Sequence, residues 1–406
     1  MRVLLSTIGS RGDVQPLVAL ALELKALGQE VRLCVPPDFR DWIDGLGLPV
    51  TSIGPELRKL TASSAPAIPT PLSPERRREM IEGTVATQFE TIAAAARGCD
   101  AIVGATALQV AAPSVAEKMG VPYSFVAYCP RVLPSPHHAP IPLGTLGDKP
   151  APATADNGEL WTKDALRWNE GWGPALNVHR AAIGLAPVSD VRSHILTDRP
   201  LLAADLTLAP WPDPAGDPVF QSGAWIVADE RPLSPEIEAF LDAGEPPVYF
   251  GFGSVRAPKD LSRMMIDSAR AQGRRAILSR GWADLSLVDD EPDCLTVGEV
   301  NQQALFRRVA AAIHHGGAGT TTAAALAGAP QVVIPQMYDQ PYWAQRVHDL
   351  GIGTAHAQGT PTTDSLTNAL RRTLQPDVTA RARSIAAAVR RDGAHVAAEH
   401  VVRTGA

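Results

Sequence analysis

Short apolar runs alternate with longer amphipathic ones along most of this chain. Residues 2–8 (RVLLSTI) predict a strand, and Gly9-Ser10-Arg11-Gly12-Asp13 predicts a turn. Over residues 14–27, Val14, Leu17, Val18, Ala21, Leu24 and Leu27 fall on one helical stripe, and Gly28 supplies the stop. Further strands are expected at 31–35, 101–103 and 122–128, with a helix near 107–119 closed by Gly120. Strand, helix and strand at this spacing predict a parallel sheet with helices on both faces.

From about 130 to 175 the pattern collapses. Pro130, Pro134, Pro136, Pro140, Pro142 and Pro150 punctuate a polar stretch ending in Trp161, Trp168 and Trp172, read as a long loop. Residues 61–76, rich in Pro and Ser, read the same way. A second break falls at Pro210-Trp211-Pro212-Asp213-Pro214, after which the alternation restarts. Strands are expected at 247–250, 275–278, 295–297, 309–313 and 331–334, with a turn at 251–254, a helix to about 272 and helix again from about 377. The architecture predicted is α/β: two Rossmann-like halves joined by a Pro-rich linker, with a ligand expected in a cleft between them.

At 406 residues the chain is too long for one ordinary core, in keeping with two halves. A formal charge of −6 argues against a nucleic-acid partner. No apolar run is long enough to span a membrane, and the N-terminus runs straight into a strand pattern without a leader. A cytoplasmic location is therefore expected. Cys34, Cys99, Cys129 and Cys294 form no close pair, which excludes a disulfide framework and a cysteine zinc site.

Candidate chemistry concentrates in the second half. The string His314-His315-Gly316-Gly317-Ala318-Gly319-Thr320 follows a strand and opens a helix. Its glycines remove side chains where backbone N–H groups and a helix N-terminus can face a phosphate, and His315 and Thr320 add donors. It is neither a Walker loop nor a dinucleotide fingerprint. Some twenty residues on, Asp339 and Gln340 leave a strand and enter a helix. A carboxylate beside an amide suits two adjacent sugar hydroxyls, while Asp339 as a plain helix cap is an equal alternative.

These residues resemble the UDP-glycosyltransferase-like GT-B family (glycosyltransferase family 1), most of all the bacterial enzymes that decorate glycopeptide antibiotics; sterol glucosyltransferases share several strings. The resemblance rests on SRGDVQPLVALA, QSGAWI, RPLSPE, VYFGFGS, VGEVN, HHGGAGTTTAAALAGAPQ and QMYDQPYWAQRV, in that order. It implies a GT-B fold with two Rossmann-like domains facing across a cleft. Residues 1–212 would bind the acceptor, 213–380 the nucleotide-sugar, and a helical tail at 381–406 would pack back on the N-terminal domain. It further implies that Ser254, His315, Gly317, Ala318, Gly319 and Thr320 contact the donor diphosphate, joined by Ser10, Arg11 and Gly12. Val300 would meet the base, and Asp339 and Gln340 the donor sugar. Asp13 falls where glycopeptide enzymes carry a catalytic Asp and many relatives a His. The stretch Val103-Gly104-Ala105-Thr106-Ala107 offers no carboxylate to back it, so Asp13 would act alone.

The activity implied is an inverting transfer of a hexose, glucose or a deoxysugar, from a UDP- or dTDP-sugar to a hydroxyl of a natural-product aglycone, with no metal and no cofactor. Asp13 would take the acceptor's proton while the 314–320 loop stabilises the leaving diphosphate. A helix start favours the ionised form of Asp13 and weakens it as a base, desolvation by the acceptor opposes this, and a plain N-cap is the alternative role. The acidic run 289–293 reads as a charged surface turn, and His137-His138 as solvated loop. A nucleotide-sugar 2-epimerase or hydrolase and a non-catalytic nucleotide-sugar-binding protein are the competing readings.

Overall fold

The computed structural model describes residues 1–62, 73–106, 108–142, 155–213, 218–253, 260–282 and 285–405. They divide into two compact units. One holds Met1–Leu60, the described residues from Ser73 to Val227, and Arg390 onward; the other runs from Ala228 to Val389.

The first unit is built on β1 (Arg2–Thr7), β2 (Glu30–Val35), β3 (Val50–Ser52), β4 (Ala101–Ala105), β5 (Tyr123–Ala127), β6 (Leu201–Leu202) and β7 (Phe220–Gln221). Every pair is parallel, in the order β3-β2-β1-β4-β5-β6-β7. The second unit carries β8 (Val248–Gly251), β9 (Ala276–Ser279), β10 (Cys294–Val297), β11 (Ala311–His314), β12 (Gln331–Val333) and β13 (Gly353–Ala355), also all parallel, in the order β10-β9-β8-β11-β12-β13. In each sheet the winding reverses beside the first strand, between β1 and β4 and between β8 and β11. The carboxyl ends of strands at such a switch are where open α/β sheets bind ligands.

The second sheet shows why its strands read as continuous apolar runs. Phe250 and Leu278 point into a core with Leu261, Met265 and Leu366. Their neighbours Tyr249 and Ile277 point the other way, into a core with Ile237, Phe306 and Ala324. Side chains alternate across a strand, so a sheet covered on both faces needs apolar residues at every position. Cys34 is equally enclosed in the first sheet, and burial pushes its thiol up to about 12.

Three expectations need correction. The Trp-bearing segment is a helix, Asn157–Ala182, capped by the Asp156 carboxylate, which accepts from the Glu159 N–H at 2.9 Å. Trp161 and Trp168 are buried on it, so their rings build a local core. His138 belongs to that core too. It stands edge-on to Trp161 and Trp211, with ring centroids 6.1 and 5.9 Å away, and Nε2 lies 2.9 Å from the Leu133 carbonyl. The helix expected at 107–119 spans only Ala112–Met119 among the described residues.

The units break at Val227/Ala228 and Val389/Arg390, where the sequence pattern places 212/213 and 380/381. The Pro-rich stretch ends an element without ending the unit, because β7 beyond it still pairs with β6. The terminal helix Gly393–Thr404 packs on the helix Arg11–Ala26. The Arg390 N–H donates to Asp205 at 2.9 Å, and His395 meets Glu23 at 3.0 Å.

Candidate active site

In the first unit the chain leaves β1 and turns directly into the helix Arg11–Ala26. Ser10 is the N-cap and Asp13 the third helical residue, the spacing of a capping box. Asp13 Oδ2 accepts from the Ser10 N–H at 2.7 Å and from Ser10 Oγ at 3.2 Å. The cap role is thus visible, through Oδ2. Gly9 makes room for it: a Cβ there would lie 2.2 Å from Asp13 Oδ2, at φ +154°. Just past β5, the half-buried Tyr128 donates its hydroxyl to the Asp13 carbonyl at 2.9 Å. Burial first, and the Asp13 charge second, push the Tyr128 phenol well above its ordinary range, so it stays an O–H donor. The Arg11 guanidinium lies 4.8 Å over the Trp42 ring, and Gly12 is exposed.

In the second unit β11 ends at His314, and the helix Ala318–Ala327 starts from Gly317 as N-cap, with no side chain capping it. The first intrahelical bond is that of the Thr321 N–H to the Gly317 carbonyl, so the N–H groups of Ala318, Gly319 and Thr320 have no helical partner. The turn needs its glycines. Gly316 has φ +93° and its Cβ would fall 2.6 Å from Val333 Cγ1; a Cβ on Gly317 would fall 2.7 Å from His315 Nε2.

Two adjacent histidines divide the work. His314 is fully buried; its Nδ1 accepts from the Gly316 N–H at 3.1 Å and its Nε2 lies 2.9 Å from Gln331 Oε1. That pattern requires a neutral ring protonated at Nε2, and burial accordingly lowers its pKa to about 3. His315 is also held neutral by burial, lowered to about 4, against the opposing effect of a hydrogen bond to the Gly251 backbone. Gly253, at φ +56°, closes on its ring: a Cβ there would lie 3.1 Å from His315 Cε1. Ser254 itself lies outside the described residues.

Asp339 sits at the N-cap of the helix Gln340–Asp349, yet its side chain makes no cap bond. Its Oδ2 accepts instead from Trp343 Nε1 at 2.9 Å. Burial raises the Asp339 pKa, and the Trp343 bond opposes that rise. The preceding Tyr338 has φ +53°, a left-handed conformation costly for a residue with a side chain. Gln340 Oε1 accepts from the Gln336 and Met337 N–H groups at 2.8 and 3.1 Å, so its carbonyl end shapes the turn and its NH2 end alone remains for a ligand. Val300 is half-buried beside Asn301, whose amide donates to the Asp229 and Arg231 carbonyls at 2.8 and 2.7 Å.

Strand pairing brings the second-unit residues together: His314 stands opposite Gly251 of β8 and Val333 of β12. The carboxyl ends of β8, β11 and β12 thereby collect Gly253, the 314–320 loop and the Asp339 turn on one edge. Residues 3–135 match the glycosyltransferase family 28 N-terminal domain. Residues 274–400 match the erythromycin biosynthesis protein CIII-like C-terminal domain. Glycosyltransferase GtfE of Amycolatopsis orientalis is 53% identical over 401 residues, covering 98% of this chain and 96% of that one. The vancomycin aglycone glucosyltransferase of the same organism is 51% identical over 403 residues, with the same coverage, 98% and 96%. The chain belongs to this glycosyltransferase family.

The solved glycotransferase of kitacinnamycin superposes on the glycosyltransferase with a TM-score of 0.73 at 18% identity, covering 99% of this chain and 98% of that one, and shows the same GT-B fold. Several residues that shape the enzyme's candidate site have no site role assigned from its sequence. Gly9, Tyr128, Gln331 and Trp343 each touch a candidate residue. Only Trp343 carried a readable signal, four positions after Asp339 on a helix, where side chains share a face. Away from the site, Arg270 reaches Asp289 at 2.7 Å and Asp293 at 2.8 Å, and holds both carboxyls below their usual range. Among the described residues no group of three or more His, Cys, Asp or Glu could hold a metal ion, and no helix is long and apolar enough to cross a membrane.

Proposed function

We propose that the enzyme transfers a hexose, glucose or a deoxysugar, from a UDP- or dTDP-sugar to a hydroxyl of a natural-product aglycone in antibiotic biosynthesis, inverting the anomeric centre. The observation that carries the donor half is the 314–320 turn. It combines three N–H groups without helical partners, a helix N-terminus and the His315 ring, whose Nε2 side lies against Gly317. Such a turn suits a diphosphate, whose charge grows as the bond to the sugar breaks. The relative named for the vancomycin aglycone makes a glycopeptide aglycone the first acceptor to try.

In this reading Asp13 accepts the proton of the acceptor hydroxyl. The acceptor oxygen forms its bond to the anomeric carbon as the bond to the diphosphate breaks, and the electron pair leaves with the diphosphate. Ser254, Gly317, Ala318, Gly319 and Thr320 hold that diphosphate with His315, while Ser10, Arg11 and Gly12 complete its contacts. Val300 meets the base, and Asp339 and Gln340 hold the sugar. The leaving charge is neutralised by these donors without a metal ion or cofactor, and the enzyme works in the cytoplasm.

The test is mass spectrometry of reactions with UDP-glucose or dTDP-glucose and the vancomycin aglycone, with polyphenols and macrolides beside it. A product heavier by one hexosyl unit, unaffected by EDTA and lost in Asp13→Asn with donor affinity retained, is the expected result. Loss of donor binding in Asp13→Asn, or consumption of donor without acceptor, would overturn it.

A further inference from the structure

We propose that Trp343 is a positioning residue for the donor sugar, its indole N–H fixing the Asp339 carboxylate in the orientation that receives a sugar hydroxyl. The proposal rests on the reading of Asp339 and Gln340 as the sugar-holding pair. Asp339 stands where a capping carboxylate is expected, but it caps nothing. A carboxylate at a helix start ordinarily folds back on the first N–H groups, which here would turn it away from a ligand. The Trp343 bond, 2.9 Å to Oδ2, holds it out of that position.

The pairing is reciprocal. The indole is 1% exposed, and a buried Trp N–H needs an acceptor. Asp339 in turn is made harder to ionise by its burial, and the Trp343 bond is the larger of the two hydrogen bonds that oppose this. Trp343 stands at i+4 from Asp339, on the same face of the helix. The neighbouring Gln340 is pinned in a similar way, through two backbone N–H groups on its Oε1. Each member of the pair is thus held by one polar atom, and the strained Tyr338 between the strand end and Asp339 fixes the backbone that carries them.

The test compares UDP-glucose with UDP by calorimetry, with dTDP-glucose and dTDP as a second pair. Trp343→Phe keeps an aromatic ring, smaller than the indole, and removes the N–H donor. Loss of one hydrogen bond to a charged group is expected to weaken UDP-glucose roughly tenfold, with UDP affinity unchanged. In an Asp339→Ala background the same substitution is expected to add nothing, because its action runs through that carboxylate. Equal weakening of UDP and UDP-glucose, or an undiminished effect in the Asp339→Ala background, would overturn the proposal as a packing effect. Should Trp343→Phe fail to fold, β-benzothienylalanine at position 343, in which sulfur replaces the N–H, gives the same comparison with the ring volume kept. If Asp339→Ala alone leaves UDP-glucose affinity intact, the sugar-holding reading of this turn falls, and the positioning role with it; if Asp339→Ala weakens UDP-glucose but Trp343→Phe does not, only the positioning role falls.

Discussion

The Tyr128 hydroxyl, at the end of β5, donates to the backbone carbonyl of Asp13 at 2.9 Å, tying the candidate base to a strand two places away in the sheet. The phenol is half-buried and edge-on to Trp225, 6.4 Å between centroids, so it has little freedom to give way. Tyr128→Phe removes one hydrogen bond and leaves the ring. Its expected cost is about 1 kcal/mol in stability. The expected effect on kcat is larger than that stability loss implies, because the helix start carrying Asp13 loses its tether, while donor affinity stays constant. Steady-state kinetics beside thermal unfolding checks both.

Gly9 gives a sharper version of the same argument. Alanine there would place Cβ 2.2 Å from Asp13 Oδ2 and 2.4 Å from Cγ, so the carboxylate must move. Transfer is expected to fall by about a hundredfold or more, the scale on which a general base contributes. Donor affinity, read by calorimetry with UDP, is expected to fall far less, because the 314–320 turn is untouched. A fall in UDP affinity with unchanged transfer at saturating donor would contradict it.

How much of this was legible before the structure depends on the reach of each interaction. The strand before Asp13 and the helix after it follow from local apolar period, and both sheets follow from the strand–helix rhythm. The helix Asn157–Ala182 did not, because Gly158, Gly171, Gly173 and Pro174 lie inside it. Those residues weaken intrinsic helicity, and burial of Trp161, Trp168 and Leu176 overrides them. The compact units divide elsewhere than the prolines suggest for a related reason: residues 210–214 announce a turn, and only pairing of β7 with β6 shows that the first sheet continues. Glycines and Asp13 could be read as a turn, but Tyr128 and Gln331 reach their partners across 115 and 17 positions, and local pattern holds no record of such contacts.

His314 and its neighbours make stability depend on pH with a definite sign. A histidine whose folded pKa lies below its unfolded value is protonated first in the unfolded chain. Its contribution is complete above the unfolded value of 6.5 and is lost as pH falls from there toward the folded value of about 3. His315 and His194, both lowered to about 4 by burial, act in the same direction. Each contributes a slope of about 1.4 kcal/mol per pH unit within that window. Melting temperature is therefore expected to drop between pH 6.5 and 5 and to be less steep in His314→Asn, whose amide can still accept from the Gly316 N–H. An unchanged slope in that variant would show that His314 is not held neutral as described.

Gly393 separates the two units' contributions. It opens the terminal helix where that helix meets the first unit, and a Cβ there would lie 2.5 Å from both the Ala224 carbonyl oxygen and the Gly223 carbonyl carbon. Backbone atoms cannot swing aside as a side chain can, so Gly393→Ala must shift the helix start or the Gly223–Ala224 strand exit. Residues Ala394, Ala397, Ala398 and Val401 lose part of their burial in either case, at an expected cost of about 1–3 kcal/mol. Since the helix packs on Arg11–Ala26, the damage should reach the helix that carries Asp13 and reduce kcat. The 314–320 turn lies in the other unit, so UDP affinity at a temperature well below unfolding should fall far less than kcat. Calorimetry with UDP alongside the melting curve distinguishes this from general unfolding, in which both would decline together.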